Sequence, residues 1–370
     1  MTNFLFSKIN QRISNHSLRT LQVQNSLIDF SSNDYLDFAK SLELKEIVNQ
    51  FTQQHHSYSL GSTGSRLIAG NSLFVEELEK EIAEFHQAKA GLIFNSGYDA
   101  NIGLLSSVAS RGDTIITDEL IHASLIDGAR LSYANRYIFK HNDLNSLEDK
   151  LKHAKGNIFI VTESVFSMDG DFAPLKEITN LAKMYNAHLI VDEAHATGVI
   201  GKYGEGLVQK LGLQEEVFAR IHTFGKALGG HGAIILGSDV LRTYLINFAR
   251  SFIYTTALPF HSLAVVKKAY QLLKSTSAIS QLNYNINLFK SLISSIKEHF
   301  IESDSAIQCL IIPGNEKCKQ ASKQLQQKGF DVRAILSPTV PEGTERLRIC
   351  LHAKHTKNEI ESLTRELSRI

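Results

Sequence analysis

Thr223-Phe224-Gly225-Lys226-Ala227-Leu228-Gly229-Gly230 joins two apolar runs, residues 219–224 and 232–236. The connection is far too short for a parallel crossover, which needs a dozen or so residues. The runs are therefore expected to pair as an antiparallel hairpin, with Lys226 at the rim where they meet. A lysine there is either a solvated loop charge or a desolvated amine kept for chemistry. Burial lowers a lysine pKa, which suits the amine to form a Schiff base with a carbonyl. Taken alone, the stretch favours the solvated charge, so the decision falls to the rest of the chain.

Outward from this turn, short apolar runs alternate with helix-length segments. The runs are residues 92–94, 114–117, 137–139, 158–162, 188–191 and 219–223, and residues 144–153 and 175–186 carry helical periodicity between them. Such alternation predicts a mainly parallel sheet covered on both faces. Upstream, residues up to about Asp29 read as a largely helical arm, and residues 30–36 as a polar bend into a helix. A glycine-rich link at 61–66 leads to an amphipathic helix over 73–86, with Leu73, Val75, Leu78, Ile82 and Phe85 mostly on one face. After Pro259 two long helical segments, 261–275 and 279–300, precede strands at 306–312 and 347–351 and a closing helix from Lys357. The expected organisation is an N-terminal arm over 1–38, a large domain over 39–270 and a smaller α+β domain over 271–370.

The bulk numbers narrow the chemistry. Lys+Arg 39 against Asp+Glu 38 leaves no basic field for nucleic acid or an anionic membrane, so small-molecule chemistry is favoured. Cys309, Cys318 and Cys350 form no C-x-x-C pair, as expected of a reduced compartment. Residues 1–15 show no apolar core of a signal peptide, and no run approaches a membrane span. A soluble, cytoplasmic protein is expected.

In an open parallel sheet, ligands sit beyond the carboxyl ends of the strands. Five features fall there. Asn95-Ser96-Gly97-Tyr98-Asp99 opens a helix whose N–H groups suit a phosphate. Asp118 to Ser124 carries His122, which could be a core residue, a cap or a ring partner for a flat ligand. Residues 163–171, Glu-Ser-Val-Phe-Ser-Met-Asp-Gly-Asp, form a polar cluster. Asp192-Glu193-Ala194-His195 could suggest a metal, but no other ligand has matching spacing. Lys226 is the fifth. A pyridinium cofactor needs a carboxylate at its ring nitrogen, which suits Asp192, an amine for its aldehyde, which suits Lys226, and a phosphate cradle. Five complementary parts on one rim make Lys226 a chemical amine and not a solvated charge. Competing motifs fail: Ala227 follows Gly225-Lys226 where a Walker loop needs Ser or Thr, and no G-x-S-x-G or H-E-x-x-H occurs. His352 and His355 read as structural.

Residues 164–171, the run Val191-Asp192-Glu193-Ala194-His195-Ala196-Thr197-Gly198, and Thr223-Phe224-Gly225-Lys226-Ala227 resemble the α-oxoamine synthases. These are fold-type-I pyridoxal 5'-phosphate enzymes that join an amino acid to an acyl thioester with loss of CO₂. The similarity runs in matching order from about Ser31 to the C-terminus. It implies a mainly parallel seven-stranded sheet with one antiparallel strand, plus a smaller α+β C-terminal domain. It implies Lys226 as the amine holding the cofactor and later as proton-transfer base, Asp192 at the pyridine nitrogen, and His122 stacked on the ring. His195 and Ser167 would lie near the phenolic oxygen, and Ser96, Gly97, Tyr98 and Thr223 at the phosphate. Thr256 would reach the phosphate of a neighbouring subunit in a homodimer. Arg348, Asn33 and Arg19 would bind substrate, with Arg348 on the amino-acid carboxylate.

Residues 30–36, 141–143, 305–308 and 337–341 are similar to the family member that condenses L-alanine with a pimeloyl thioester carried on coenzyme A or acyl carrier protein. Rival readings are glycine with acetyl-CoA, serine with a long-chain acyl-CoA, and a non-catalytic cofactor-binding protein.

Overall fold

The computed structural model describes residues 2–370 apart from Gln22, Gln24, Asn25 and His56. The chain forms two compact units. One comprises Leu36–Ser167 and Phe172–Ile279; the other comprises Met1–Tyr35, Met168–Asp171 and Ser280–Ile370.

The larger unit is built on a seven-stranded sheet. Its strands are β1 (Ala90–Phe94), β2 (Thr114–Asp118), β3 (Asn135–Phe139), β4 (Ile158–Glu163), β5 (His188–Asp192), β6 (Ala219–Thr223) and β7 (Ala233–Gly237). Their order across the sheet is β1-β7-β6-β5-β4-β2-β3. β7 pairs antiparallel with both β1 and β6, and the remaining neighbours are parallel. The expected hairpin is therefore present, with Thr223 opposite Ala233. β1, β2 and β6 are buried along their whole length, as a doubly covered sheet requires.

Three helices border the carboxyl ends of the strands or pack behind them: α1 (Leu73–Phe85), α2 (Gly97–Val108) and α3 (Ala123–Leu131). Ser72 caps α1 and Ser96 caps α2 by accepting N–H bonds from Val75 and Asp99. The apolar stripe of α1 departs from expectation at two places. Leu73 is exposed, while Glu79 is buried. Glu79 tolerates burial because Arg66 and Arg242 lie 2.7 and 2.8 Å from its oxygens and Ile93 N–H donates to it.

The smaller unit carries an antiparallel sheet of β8 (Ile307–Ile311), β9 (Arg333–Ile335) and β10 (Arg346–Cys350), with β10 central. The half-buried, three-residue β9 carried no readable signal. Helix Asn3–Ser14 forms within the arm, but Ile28–Asp29 pairs as a strand with Phe330–Asp331, so the arm is less helical than expected. The helix expected over 279–300 spans Ala278–Leu292 and passes into a 3-10 turn at Ser294–His299. Ser294 and Ser295 stand at that break, and serine competes for helical backbone groups. Among the described residues, no helix is long and apolar enough to cross a membrane.

Candidate active site

A cavity of about 280 Å³ opens at the carboxyl ends of the parallel strands. Its lining includes Ser96, Gly97 and Tyr98 from the start of α2, His122, Asp192 and His195, and Thr223 and Lys226. Eight residues singled out in the sequence thus converge on one hollow.

The turn that carries Lys226 is closed by backbone bonds from Gly230 N–H to Phe224 O (2.8 Å) and from Gly229 N–H to Lys226 O (2.9 Å). Gly229 has φ +62°, and a side chain there would strike the backbone of Ala39. Lys226 is half-buried, and its Nζ lies 2.9 Å from His195 Nε2.

Asp192 ends β5 and is 4 % exposed. Its Oδ1 accepts from Ala194 N–H (2.9 Å) and its Oδ2 from Asn101 Nδ2 (2.8 Å). Asn101 also donates to Ser124 Oγ (2.9 Å), which lies 2.7 Å from His122 Nδ1. A chain of side chains therefore links the carboxylate to the imidazole. His122 is exposed toward the cavity, yet the protein packed around its ring holds its pKa below the ordinary value. Asp192 opposes that shift and Lys226 adds to it.

Glu163 ends β4, directly beside Asp192 in register, and is 2 % exposed. It accepts the backbone N–H groups of His122 (2.5 Å) and Ser167. Burial and the Asp192 carboxylate push its pKa up to about 8. Glu163, Asn101, Ser124 and His231 all line the cavity, and sequence reasoning assigned none of them a role.

The hollow fits pyridoxal phosphate on its own chemistry. Thr223 Oγ1 is buried with no hydrogen-bond partner, at the cavity wall where the N-terminus of α2 opens. A Cβ on Gly97 would lie 2.6 Å from Thr223 Cγ2, so only glycine lets the helix start this close to β6. An unpaired hydroxyl beside free helical N–H groups suits a phosphate, and the carboxylate and amine suit a pyridinium aldehyde.

Other expected site residues lie outside this lining. Ser167 is buried and reaches Glu163 through its backbone. Thr256 is exposed, and its carbonyl accepts from Asn95 Nδ2 (2.7 Å). Arg348, Asn33 and Arg19 belong to the smaller unit. Arg348 Nη2 donates to Asn33 Oδ1 (2.9 Å), and Arg19 Nη2 to Thr339 Oγ1 (3.0 Å).

Residues 25–367 match the family aminotransferase class I and II. The chain is 43 % identical over 369 residues to 8-amino-7-oxononanoate synthase of Emericella nidulans, covering 92 % of this chain and 88 % of the relative. It is 40 % identical over 344 residues to that of Lysinibacillus sphaericus, with the same coverage, 92 % and 88 %. The solved 8-amino-7-oxononanoate synthase of Francisella tularensis superposes with a TM-score of 0.80 at 30 % identity, covering 94 % of this chain and 98 % of that one. Serine palmitoyltransferase from S. paucimobilis superposes with a TM-score of 0.90, covering 100 % and 96 %; its 24 % identity speaks for the fold alone. The chain belongs to the aminotransferase class I and II family and, within it, to the α-oxoamine synthases, pyridoxal-phosphate-dependent acyltransferases.

Proposed function

We propose that this chain joins L-alanine to a pimeloyl thioester, on coenzyme A or acyl carrier protein, to give 8-amino-7-oxononanoate, CO₂ and the free thiol in biotin synthesis. The observation that carries the reading is Lys226 held in one hollow with Asp192, His122 and the N-terminus of α2. The extent of similarity to 8-amino-7-oxononanoate synthases supports the choice of substrates.

Bound pyridoxal phosphate supplies the electron sink that makes the α-proton of alanine removable and the β-keto carboxylate labile. Lys226 Nζ takes the α-proton and later returns one to the same carbon. Asp192 keeps a proton on the ring nitrogen. His122, its Nδ1 committed to Ser124, would flank the ring, and His195 and Ser167 would hold the phenolic oxygen. Tyr98 and Gly97 amides and Thr223 take the phosphate, and Thr256 completes the site of a second copy in a homodimer. Arg348, with Asn33, takes the amino-acid carboxylate as a guanidinium suited to it; Arg19 serves the acyl donor. Overall a C–C bond forms between alanine Cα and the thioester carbonyl carbon, the C–S bond breaks, and the carboxylate leaves as CO₂.

The test is a matrix of alanine, glycine and serine against pimeloyl-, acetyl- and palmitoyl-CoA. Alanine with pimeloyl-CoA is expected to give the highest kcat/KM. A higher value for glycine with acetyl-CoA, or serine with palmitoyl-CoA, would overturn the substrate choice. In Lys226→Ala, borohydride should no longer fix cofactor to the chain, and turnover should fall by about 10²–10⁴-fold or more. If the α-protons of alanine, glycine and serine all fail to exchange with solvent in the intact protein, the non-catalytic cofactor-binding reading is favoured over the enzyme.

A further inference from the structure

In the smaller unit, the backbone of residues 29–35 is held by the last residue of β10 and the segment that follows it. Cys350 N–H donates to Phe30 O (2.8 Å) and Ala353 N–H to Tyr35 O (2.8 Å). Between and beyond these, two imidazoles take the other carbonyls: His352 Nε2 lies 3.0 Å from Ser32 O, and His355 Nε2 lies 2.9 Å from Asp29 O. The Asp29 side chain closes the bend from inside, accepting Ser31 N–H (3.0 Å) and Ser32 N–H (2.9 Å). What this clamped bend presents is Asn33, whose Oδ1 accepts from Arg348 Nη2 (2.9 Å) and Tyr35 Oη (3.1 Å). With its oxygen committed, the amide NH₂ of Asn33 is the face that an anionic group beside Arg348 would meet.

His355 is the least replaceable part of the clamp. Its Nδ1 accepts from His352 N–H (3.0 Å), so Nε2 must carry the proton that it donates to Asp29 O. The bond accepted at Nδ1 requires the neutral ring, and only the neutral ring with its proton on Nε2 makes both bonds at once. Burial, with His352 adding, holds the His355 pKa down at about 3, so the ring is neutral at any working pH. The ring also stacks on Phe30, centroids 3.9 Å apart. Its own turn is pinned from helix Ala278–Leu292, where Asn285 Nδ2 donates to His352 O (2.8 Å) and His355 O (3.0 Å).

We propose that His355 is a positioning residue for the amino-acid carboxylate, setting through Asp29 O the placement of Asn33 against Arg348. This rests on the assignment of Arg348 and Asn33 to that carboxylate. It predicts an effect confined to the amino acid, since the clamp ends at the Asn33–Arg348 pair.

The experiment titrates the cofactor-loaded enzyme with L-alanine and reads the visible absorbance of the cofactor, which gives a Kd without turnover; steady-state KM for pimeloyl-CoA is measured beside it. His355→Asn keeps an acceptor near Nδ1 and loses the far donor, whereas His355→Gln keeps the far donor. The expected result is an alanine Kd raised at least about tenfold in His355→Asn and within about threefold of wild type in His355→Gln, with the pimeloyl-CoA KM steady in both. Equal alanine affinity in the two variants would overturn the proposal. So would a parallel rise in the pimeloyl-CoA KM, or failure of both variants to load cofactor, because His355 would then serve folding and not placement. Arg348→Lys separates this inference from the reading beneath it. Unchanged alanine affinity in Arg348→Lys overturns the carboxylate assignment and the inference with it. Weakened affinity there beside a normal His355→Asn overturns the inference alone.

Discussion

Gly97 stands so close to Thr223 that a Cβ on the glycine would lie 2.6 Å from the threonine Cγ2. The contact sets the first turn of α2 against the end of β6, where strand and helix N-terminus together wall the cavity. Gly97→Ala must push them apart. It should cost about 1–3 kcal/mol of stability, as overpacking does, and lower cofactor affinity by a larger factor than any change remote from the hollow. Denaturant unfolding and a pyridoxal-phosphate titration check both parts. An alanine variant that binds the cofactor as tightly as wild type would remove this contact from the phosphate site.

Thr223→Val tests the phosphate reading from the other side. The hydroxyl is buried and unpartnered, so its loss leaves nothing unsatisfied in the cofactor-free chain. Stability without cofactor should therefore be unchanged or slightly higher, while cofactor affinity falls about tenfold through loss of roughly 1–1.5 kcal/mol of hydrogen bonding. The opposite signs are the signature. A variant less stable without cofactor and unaltered in binding would show that the hydroxyl serves the fold.

Asn101 joins Asp192 to Ser124 through one amide nitrogen, at 2.8 and 2.9 Å. Removing it takes away one of the two bonds described on Asp192 and frees Ser124 beside His122. Hydrogen bonds to charged groups are worth about 1.5–3 kcal/mol, so Asn101→Ala should lower kcat/KM for alanine by about 10–100-fold while the chain still loads cofactor. Asn101→Asp should be worse, because a second carboxylate would face the first. Wild-type kcat/KM in Asn101→Ala would show that Ala194 N–H suffices to hold Asp192.

How much of the fold and the site was legible depends on where the information lies. The parallel strands were readable because both faces are covered, which makes runs such as residues 158–161, Ile-Phe-Ile-Val, apolar in composition and sharply ended by Thr162 and Glu163. Lys226, Asp192 and His122 were readable because side-chain chemistry at a strand end is itself the signal. Asn101 was not, since a polar residue one turn into a helix looks solvated until Asp192, 91 positions later, is brought against it. Glu163 stood within the polar cluster but received no role, because it acts by accepting backbone N–H groups that no sequence displays. The burial of Glu79 was unreadable for the same reason: the two arginines that pair with it, Arg66 and Arg242, lie 13 and 163 positions away.

Glu163 also gives the protein a pH dependence of unusual sign. Its carboxyl is raised from 4.5 to about 8 by burial and by Asp192, so between those values the folded chain holds a proton that the unfolded chain has released. Stability from this group is therefore complete below about pH 4.5 and is lost as pH rises through 8, with a slope of up to ~1.4 kcal/mol per pH unit. His122, whose pKa is lowered, acts the opposite way, but its contribution is complete once pH exceeds the ordinary histidine value. His86, His222 and His355, lowered by burial, act in the same direction as His122, so the carboxyl is isolated in the window from pH 7 to 8 by difference against a chain that cannot ionise at this position. Cofactor-free protein unfolded with urea across that window should lose stability as pH rises, and Glu163→Gln, which cannot ionise, should lose distinctly less. Parallel slopes for the two chains would mean that Glu163 is already ionised at neutral pH, its charge held by the His122 and Ser167 N–H groups alone.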